Sequence, residues 1–448
     1  MSPLHAPPSH TDLVIRPRWM IPIEPAGVVL ENHALVVNQG RIVSLLPAAE
    51  VAERYHPASQ MDLPDHVLIP GMVNLHAHAA MNLLRGYADD LPLMRWLEEK
   101  IWPAEKRLLR AEFVRDGTFL AGAEMLRGGI TCFNDMYFFP DAAASAIRRL
   151  GLRAVLGLPV MEFPTPYAHD AGDYLAKGIA IRDQLRQEPL LGFTLAPHAP
   201  YTVSDPTLER IATLSAQLDL PVHIHLHETR QEVDDSLREH GVRPLSRLHR
   251  LGLLGPQLIA AHGVHLNDAE LALLAEQGCT LAHCPTSNMK LASGAAPVAA
   301  SLDRGIRVGL GTDGAASNNR LDMFQEMRHA ALLGKLFTGN AAALSAHQVL
   351  RMATLGGASA LGMEDEIGSL QPGKWADLCA VRLDEWIMSP CFDPAAHLVY
   401  VAGREQVSHV WIAGAEKLQM GIFNDIRDAE LREILALWQN RVHPSTVV

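Results

Sequence analysis

The stretch Val67-Leu68-Ile69-Pro70-Gly71-Met72-Val73-Asn74-Leu75-His76-Ala77-His78 decides how the fold is read. Its apolar run, Val67 to Leu75, has the length and unbroken hydrophobicity of a strand covered on both faces. The run ends in two histidines two residues apart, and such residues share one face of a strand. The same texture recurs in Ile130 to Asn134, Arg153 to Leu158, Gly192 to Ala196, Val222 to Leu226, Leu258 to Ala261, Thr280 to His283 and Arg307 to Gly311. Helical stretches such as Glu105 to Arg127, Ala171 to Gln187, Pro206 to Leu218 and Asp322 to Leu336 separate these runs. Eight consecutive βα units predict a closed (β/α)8 barrel of the TIM type, within its usual size of roughly 300 residues. No GxGxxG follows the first strand to suggest a dinucleotide fold.

Outward from the barrel the texture turns to β structure. Residues 11–70 read as short antiparallel strands (Val28 to Leu30, Ala34 to Val37, Arg41 to Val43) with one short helix near Ala48 to Arg54. After Leu361, strands are expected at Ala376 to Arg382, Val407 to Ile412 and Glu416 to Leu418, then a helix near Asp428 to Gln439. The expected organisation is therefore a small β-sandwich assembled from residues 1–70 and 367–448, flanking a barrel at 71–366.

The 448 residues include 38 Lys+Arg and 50 Asp+Glu, for a net charge of -12, and 48% are hydrophobic. That much apolar surface excludes a disordered chain, and the acidic balance argues against nucleic acid or an anionic membrane surface as partner. Met1 to Leu13 lacks a basic segment followed by an apolar one, and no apolar run approaches the roughly 20 residues of a bilayer span. The 5 cysteines have no CxxC spacing, so reduced thiols and a cytoplasmic location are expected. The 22 histidines are the unusual count, which raises the question of whether they cluster.

Catalytic groups of a barrel sit where its strands end at the C-terminal face. Here those ends read His76-Ala77-His78, His198, His223-Ile224-His225-Leu226-His227-Glu228, His262 and Asp313. One histidine at a strand end is unremarkable. The five ends quoted, taken together, form a donor set suited to a metal ion.

Together, Pro70 to His78, the HxxE of His225 to Glu228, Ala261-His262-Gly263, His283-Cys284-Pro285-Thr286-Ser287-Asn288 and Gly311-Thr312-Asp313 resemble the amidohydrolase superfamily. Within it they are similar to the branch of methylthioadenosine/S-adenosylhomocysteine deaminases and triazine chlorohydrolases. Lys374-Trp375-Ala376-Asp377-Leu378 extends the likeness into the C-terminal strands.

The resemblance implies that His76, His78, His225 and Asp313 ligate one metal, with His223 the rival of His225. Three imidazoles and a carboxylate suit Zn2+, with Fe2+ as the alternative, and leave a position open for water. Binuclear relatives carry a bridging lysine at the end of the fourth strand, but Leu191 to Pro200 contains none, so a single ion is expected. By the same resemblance Glu228 protonates the ring, Asp313 moves the water's proton to the leaving amine, and His262 holds the metal-activated hydroxide. Without that context Glu228 would read as an acid favoured by the start of a helix.

For the substrate, the Trp102-Pro103-Ala104-Glu105 pattern implies that Glu105 receives the ribose hydroxyls, although the same residues suit an ordinary helix start. His198, Trp102 and Met161 are the other expected contacts. The loop Pro159 to Tyr167 has one acid, Glu162, and no Lys or Arg, which favours 5'-methylthioadenosine or adenosine over S-adenosylhomocysteine. The alternatives are S-adenosylhomocysteine itself, a guanine-type base or triazine hydrolysis, and a non-catalytic scaffold, which would be expected to have lost ligands. The resemblance also implies a homo-oligomer, a dimer or larger.

Overall fold

The computed structural model describes residues 9–442; residues 1–8, most of the stretch read for a targeting signal, lie outside the described residues. Five strands come first: β1 Ser9–Met20, β2 Leu30–Glu31, β3 His33–Asn38, β4 Arg41–Pro47 and β5 Tyr55–Pro70. Eight barrel strands follow: β6 Met72–Ala77, β7 Ile130–Asp135, β8 Arg153–Val160, β9 Leu191–Pro197, β10 Val222–Leu226, β11 Leu258–His262, β12 Thr280–His283 and β13 Arg307–Leu310. The described residues end in β14 Leu378–Arg382, β15 Val407–Ile412, β16 Ala415–Gln419, β17 Ile422–Phe423 and a helix, Asp428–Val442.

Strands β6 to β13 lie side by side in chain order, every ladder parallel. Residues of β6, β7 and β8 are buried throughout, as a parallel sheet sheathed by helices requires. The seam between β13 and β6 closes without a regular ladder. The Asp313 N–H donates to the His76 carbonyl at 2.9 Å. Asn74 takes the Thr312 N–H at 2.9 Å and donates to its hydroxyl at 2.7 Å. Glycine makes this approach possible, since a Cβ on Gly311 would lie 2.8 Å from the His76 Cβ.

Strands from the two ends of the chain meet in one mixed nine-stranded sheet, ordered β17-β16-β15-β14-β5-β1-β3-β4 with β2 on β1. Ile15, Leu35, Leu68, Leu378 and Trp411 pack together on its inner face. The edge strand β4 also bonds the segment before β14, through Ile42 N–H to Lys374 O and Gly373 N–H to Ile42 O, both at 2.8 Å.

Three expectations are corrected. Val67 to Leu75 is not one strand: Val67 to Pro70 end β5, and the barrel begins at Met72. The handover falls at Gly71, whose N–H bonds the Asp377 carbonyl at 2.8 Å and where a Cβ would strike Thr131 at 2.0 Å. Strands β3 and β4 are longer than expected, the strand expected at Val28 to Leu30 is only Leu30–Glu31, and β1 pairs β5 in parallel rather than antiparallel fashion. The helix foreseen from Glu105 to Arg127 is two, Trp102–Leu108 and Ala111–Arg127, because Leu109 and Arg110 are extended. That break lets the first helix face the barrel mouth while the second packs on its flank.

The buried pair Arg153–Asp377, with contacts of 2.8 and 3.2 Å, ties β8 to the terminal sheet. Among the described residues no helix is long and apolar enough to cross a membrane.

Candidate metal centre

Strand β6 projects His76, its end projects His78, and β10 projects His225 from across the barrel. Ligand atoms of these three lie within 4.8 Å of one another, and His76, His262 and Asp313 form a second such group. The Asp313 Oδ1 lies 3.4 Å from His76 Nε2 and 3.2 Å from His78 Nε2, while His225 Nε2 is 3.3 Å from His78 Nε2. Both groups share His76, so the four predicted ligands and His262 converge on one point.

Each ring is held from behind. His78 Nδ1 donates to the Met136 carbonyl and His225 Nδ1 to the His198 carbonyl, both at 2.6 Å. These bonds place the proton on Nδ1 and leave the Nε2 lone pair facing the centre. His76 Nδ1 lies 2.9 Å from His223 Nε2, and His223 Nδ1 lies 3.0 Å from Asn134 Nδ2. His223 is therefore one pleat below the ligand group and supports it; the ring that joins the group is that of His225.

Burial lowers the His76 pKa to about 4 and holds His225 well below its ordinary value. Both are then neutral, the form that ligates. Burial also opposes charge on His78, but the Asp313 carboxylate and Met136 carbonyl outweigh it and raise the pKa to about 9, so without an ion this ring holds a proton on Nε2 that it must release in order to ligate. His76 Nε2 is buried with no hydrogen-bond partner. An orphaned nitrogen beside two more imidazoles and a carboxylate fits a borderline divalent ion such as zinc.

Asp313 is fixed on its other side. Its Oδ2 accepts from the Ser287 and Ser317 hydroxyls at 2.6 and 2.8 Å. Its backbone is left-handed at φ 60°, and that of His262 at φ 73°, which for non-glycine residues costs about 1–3 kcal/mol each. A Cβ on Gly314 would press within 3.2 Å of both the His78 Cβ and the Met81 sulfur.

Above the centre opens a cavity of about 540 Å³, walled by His78, His225 and Asp313 and by the predicted Trp102, Glu105, Met161, His198, Glu228 and His262. Every sequence-predicted site residue except the fully buried His76 thus borders one space. Glu228 is 6% exposed, and burial raises its pKa. It is not a solvated helix-opening acid: Thr229 caps the helix Arg230–His240, and Glu232 accepts the N–H groups of His227 and Glu228 at 2.9 and 2.8 Å. His262 Nδ1 lies 2.9 Å from Asn288 Oδ1, and its Nε2 is 3.8 Å from the Glu228 carboxylate. His198 pairs with Thr202 at 3.1 Å, and burial lowers its pKa to about 3.

Glu105, on the far wall, accepts from the Tyr137 hydroxyl at 2.7 Å, and burial raises its pKa to about 7. Tyr137, Glu232, Ser287 and Ser317 were not foreseen from the sequence. Tyr137 had a usable signal, because Asp135-Met136-Tyr137 closes β7 just as His76-Ala77-His78 closes β6.

Known proteins resemble this chain in sequence and fold. Residues 67–417 match the amidohydrolase family. A 5-methylthioadenosine/S-adenosylhomocysteine deaminase of Teredinibacter turnerae is 45% identical over 424 residues, covering 95% of this chain and 96% of the relative. An adenosine deaminase from Xanthomonas campestris, solved with bound zinc, is 49% identical with a TM-score of 0.96, over 97% of this chain and 99% of that one. The atrazine chlorohydrolase of Arthrobacter aurescens TC1, complexed with zinc, is 25% identical with a TM-score of 0.87, over 96% and 100%. With its barrel, its His/Asp centre and a match that spans most of its length, the chain belongs to the amidohydrolase family.

Proposed function

We propose that the chain catalyses the hydrolytic deamination of 5'-methylthioadenosine and adenosine, releasing the inosine analogue and ammonia. The observation that carries this reading is a single cavity with the His/Asp centre and Glu228 on one side and the buried carboxyl of Glu105 on the other. The relatives' names supply the substrate class.

His76, His78, His225 and Asp313 would hold one zinc ion, or Fe2+ in its place. When bound, the ion supplies Lewis acidity that makes water nucleophilic near neutral pH. Glu228, whose pKa burial raises, would give a proton to purine N1 as water attacks C6. Asp313 accepts one proton from the water and passes it to the departing amine, which leaves as ammonia, while the second water proton, on the C6 hydroxyl, returns to Glu228 as the carbonyl forms. The His262 Nε2 accepts a hydrogen bond from the same water and orients it. Glu105 accepts two hydrogen bonds from the ribose 2'- and 3'-hydroxyls. His198 contacts the purine or sugar side, while Trp102 and Met161 supply apolar walls.

Met161, Phe163, Pro164 and Pro166 give the outer wall an apolar character suited to a methylthio group. Arg85 pairs with Glu124 and is absent from the cavity wall. One observation favours S-adenosylhomocysteine as a second reading: Lys106 lines the cavity mouth and could face an amino-acid carboxylate.

The test is a panel of adenosine, methylthioadenosine, S-adenosylhomocysteine, guanine and a chlorotriazine with zinc-loaded protein. Conversion of either of the first two nucleosides to an inosine-type spectrum is expected, and no turnover of either would sink the proposal. A Lys106→Met variant that loses only S-adenosylhomocysteine turnover would favour the second reading. Triazine or guanine hydrolysis would survive Glu105→Gln unchanged.

Unpaired cysteines, four of the five buried, support a reducing compartment, and we place the protein in the cytoplasm. Exposed Leu336, Phe337, Trp386 and Phe392 support a homo-oligomer, which light scattering would size.

A further inference from the structure

We propose that Tyr137 is a positioning residue that orients the Glu105 carboxylate toward the vicinal diol, and so sets a preference for ribonucleosides over sugars lacking those hydroxyls. The inference rests on the reading of Glu105 as the diol acceptor.

The two residues reach each other from different loops. Glu105 lies on the helix Trp102–Leu108 in the long excursion after β6, and Tyr137 follows the end of β7. Tyr137 is 5% exposed and Glu105 9%, and both border the cavity. The phenol donates to Oε1 at 2.7 Å, and among the described residues no other protein donor reaches this carboxyl.

A glutamate carboxyl turns about a terminal torsion that is broad and roughly twofold. With a single donor on Oε1, the plane of the group is fixed and Oε2 remains for a ligand. A diol presents two O–H groups at fixed spacing, and an acceptor of fixed orientation meets both without losing freedom on binding. A phenol O–H on a desolvated carboxyl also favours its ionised form, which accepts from both hydroxyls. The Tyr137 ring is itself held, packing edge-on to Phe138 with centroids 5.3 Å apart. It has the support needed to act as a fixed strut.

The experiment compares adenosine with 2',3'-dideoxyadenosine on the zinc-loaded wild type, Tyr137→Phe, Glu105→Gln and the double variant. Tyr137→Phe is expected to lower kcat/KM for adenosine roughly ten- to hundredfold, the worth of a hydrogen bond to a charged group, chiefly through KM. It should leave the dideoxynucleoside within about twofold, since that substrate makes no call on Glu105. The double variant should be no worse than Glu105→Gln alone.

Equal losses on both substrates, or losses that multiply in the double variant, would overturn the positioning role and mark Tyr137 as structural. If Glu105→Gln itself fails to distinguish the two nucleosides, the diol reading falls, and this inference with it. Discrimination by Glu105→Gln without discrimination by Tyr137→Phe overturns this inference alone. Each variant carries its own control in the second substrate, and Tyr137→Met repeats the comparison if the phenylalanine variant does not fold.

Discussion

Glu228 shows what a single side chain owes to its setting. An amide at this position keeps the shape but cannot deliver a proton, so Glu228→Gln is expected to lower kcat/KM by about 10²- to 10⁴-fold. Elemental analysis should find its zinc content unchanged, because Glu228 stands outside the ligand group; a variant that keeps its rate, or loses its metal, would count against the assignment. That His76, His78, His225 and Asp313 would gather at one barrel mouth was legible in the sequence because a barrel strand delivers its end to a known face; naming them as ligands rested on the family resemblance, since parity along the strand does not separate His225 from His223. Their supports were not legible. Ser287 lies 26 residues from the Asp313 it holds, and Tyr137 lies 32 from Glu105. Such bonds depend on the paths of intervening loops, and no local pattern encodes those paths. Glu232 is closer, four residues beyond Glu228, yet it reads as one more acid in a helix's first turn until its two N–H partners are seen.

At the scale of elements, the eight βα units were readable from alternation of texture, while junctions were not. Pro70-Gly71 is a local mark of the break between β5 and the barrel, but the apolar run on both sides of it reads as one strand. What divides them is the tertiary bond to Asp377 and the contact with Thr131. The parallel pairing of β1 with β5 is hidden for the same reason, since a strand's partner is set by the whole topology. At the seam, Gly311→Ala would force β13 away from His76 and is expected to destabilise the protein by about 1–3 kcal/mol in a denaturant titration, with weaker zinc binding. An unaltered midpoint would show that the seam can give. In the terminal sheet, His66 and His409 are buried with ring centroids 5.8 Å apart. Burial lowers both pKa values from 6.5, that of His409 to about 4, although Asp384 and Asp65 partly offset this at His66 and Arg382 adds to it. Below pH 6.5 the unfolded chain therefore binds protons that the folded chain refuses, so stability falls as pH drops from 6.5 toward 4. His409→Phe should flatten that decline in unfolding titrations at pH 7 and pH 4.5, and equal declines in both proteins would exclude the pair as its source.

For the whole molecule, the His/Asp group that could hold a metal comes from β6, β10 and the segments after β6 and β13, so an ion bound there would brace opposite sides of the barrel. Zinc at about a hundred times its dissociation constant adds about 2.7 kcal/mol to the folded state. Metal-free protein should therefore melt higher on adding zinc, and His225→Asn should lose most of that rise in calorimetry; an equal rise in both would place the ion elsewhere. The sheet built from both ends of the chain has a different consequence, for synthesis. Strand β5 gains β1 early, but its other neighbour, β14, emerges only after about 300 further residues, some 15 to 60 s at ribosomal speed. Throughout that interval β5 offers a bare edge carrying Val67, Leu68 and Ile69 to any other nascent chain. Birth, more than the finished enzyme, is where this architecture is vulnerable to aggregation, and fragments halted before residue 378 should require a chaperone to stay in solution.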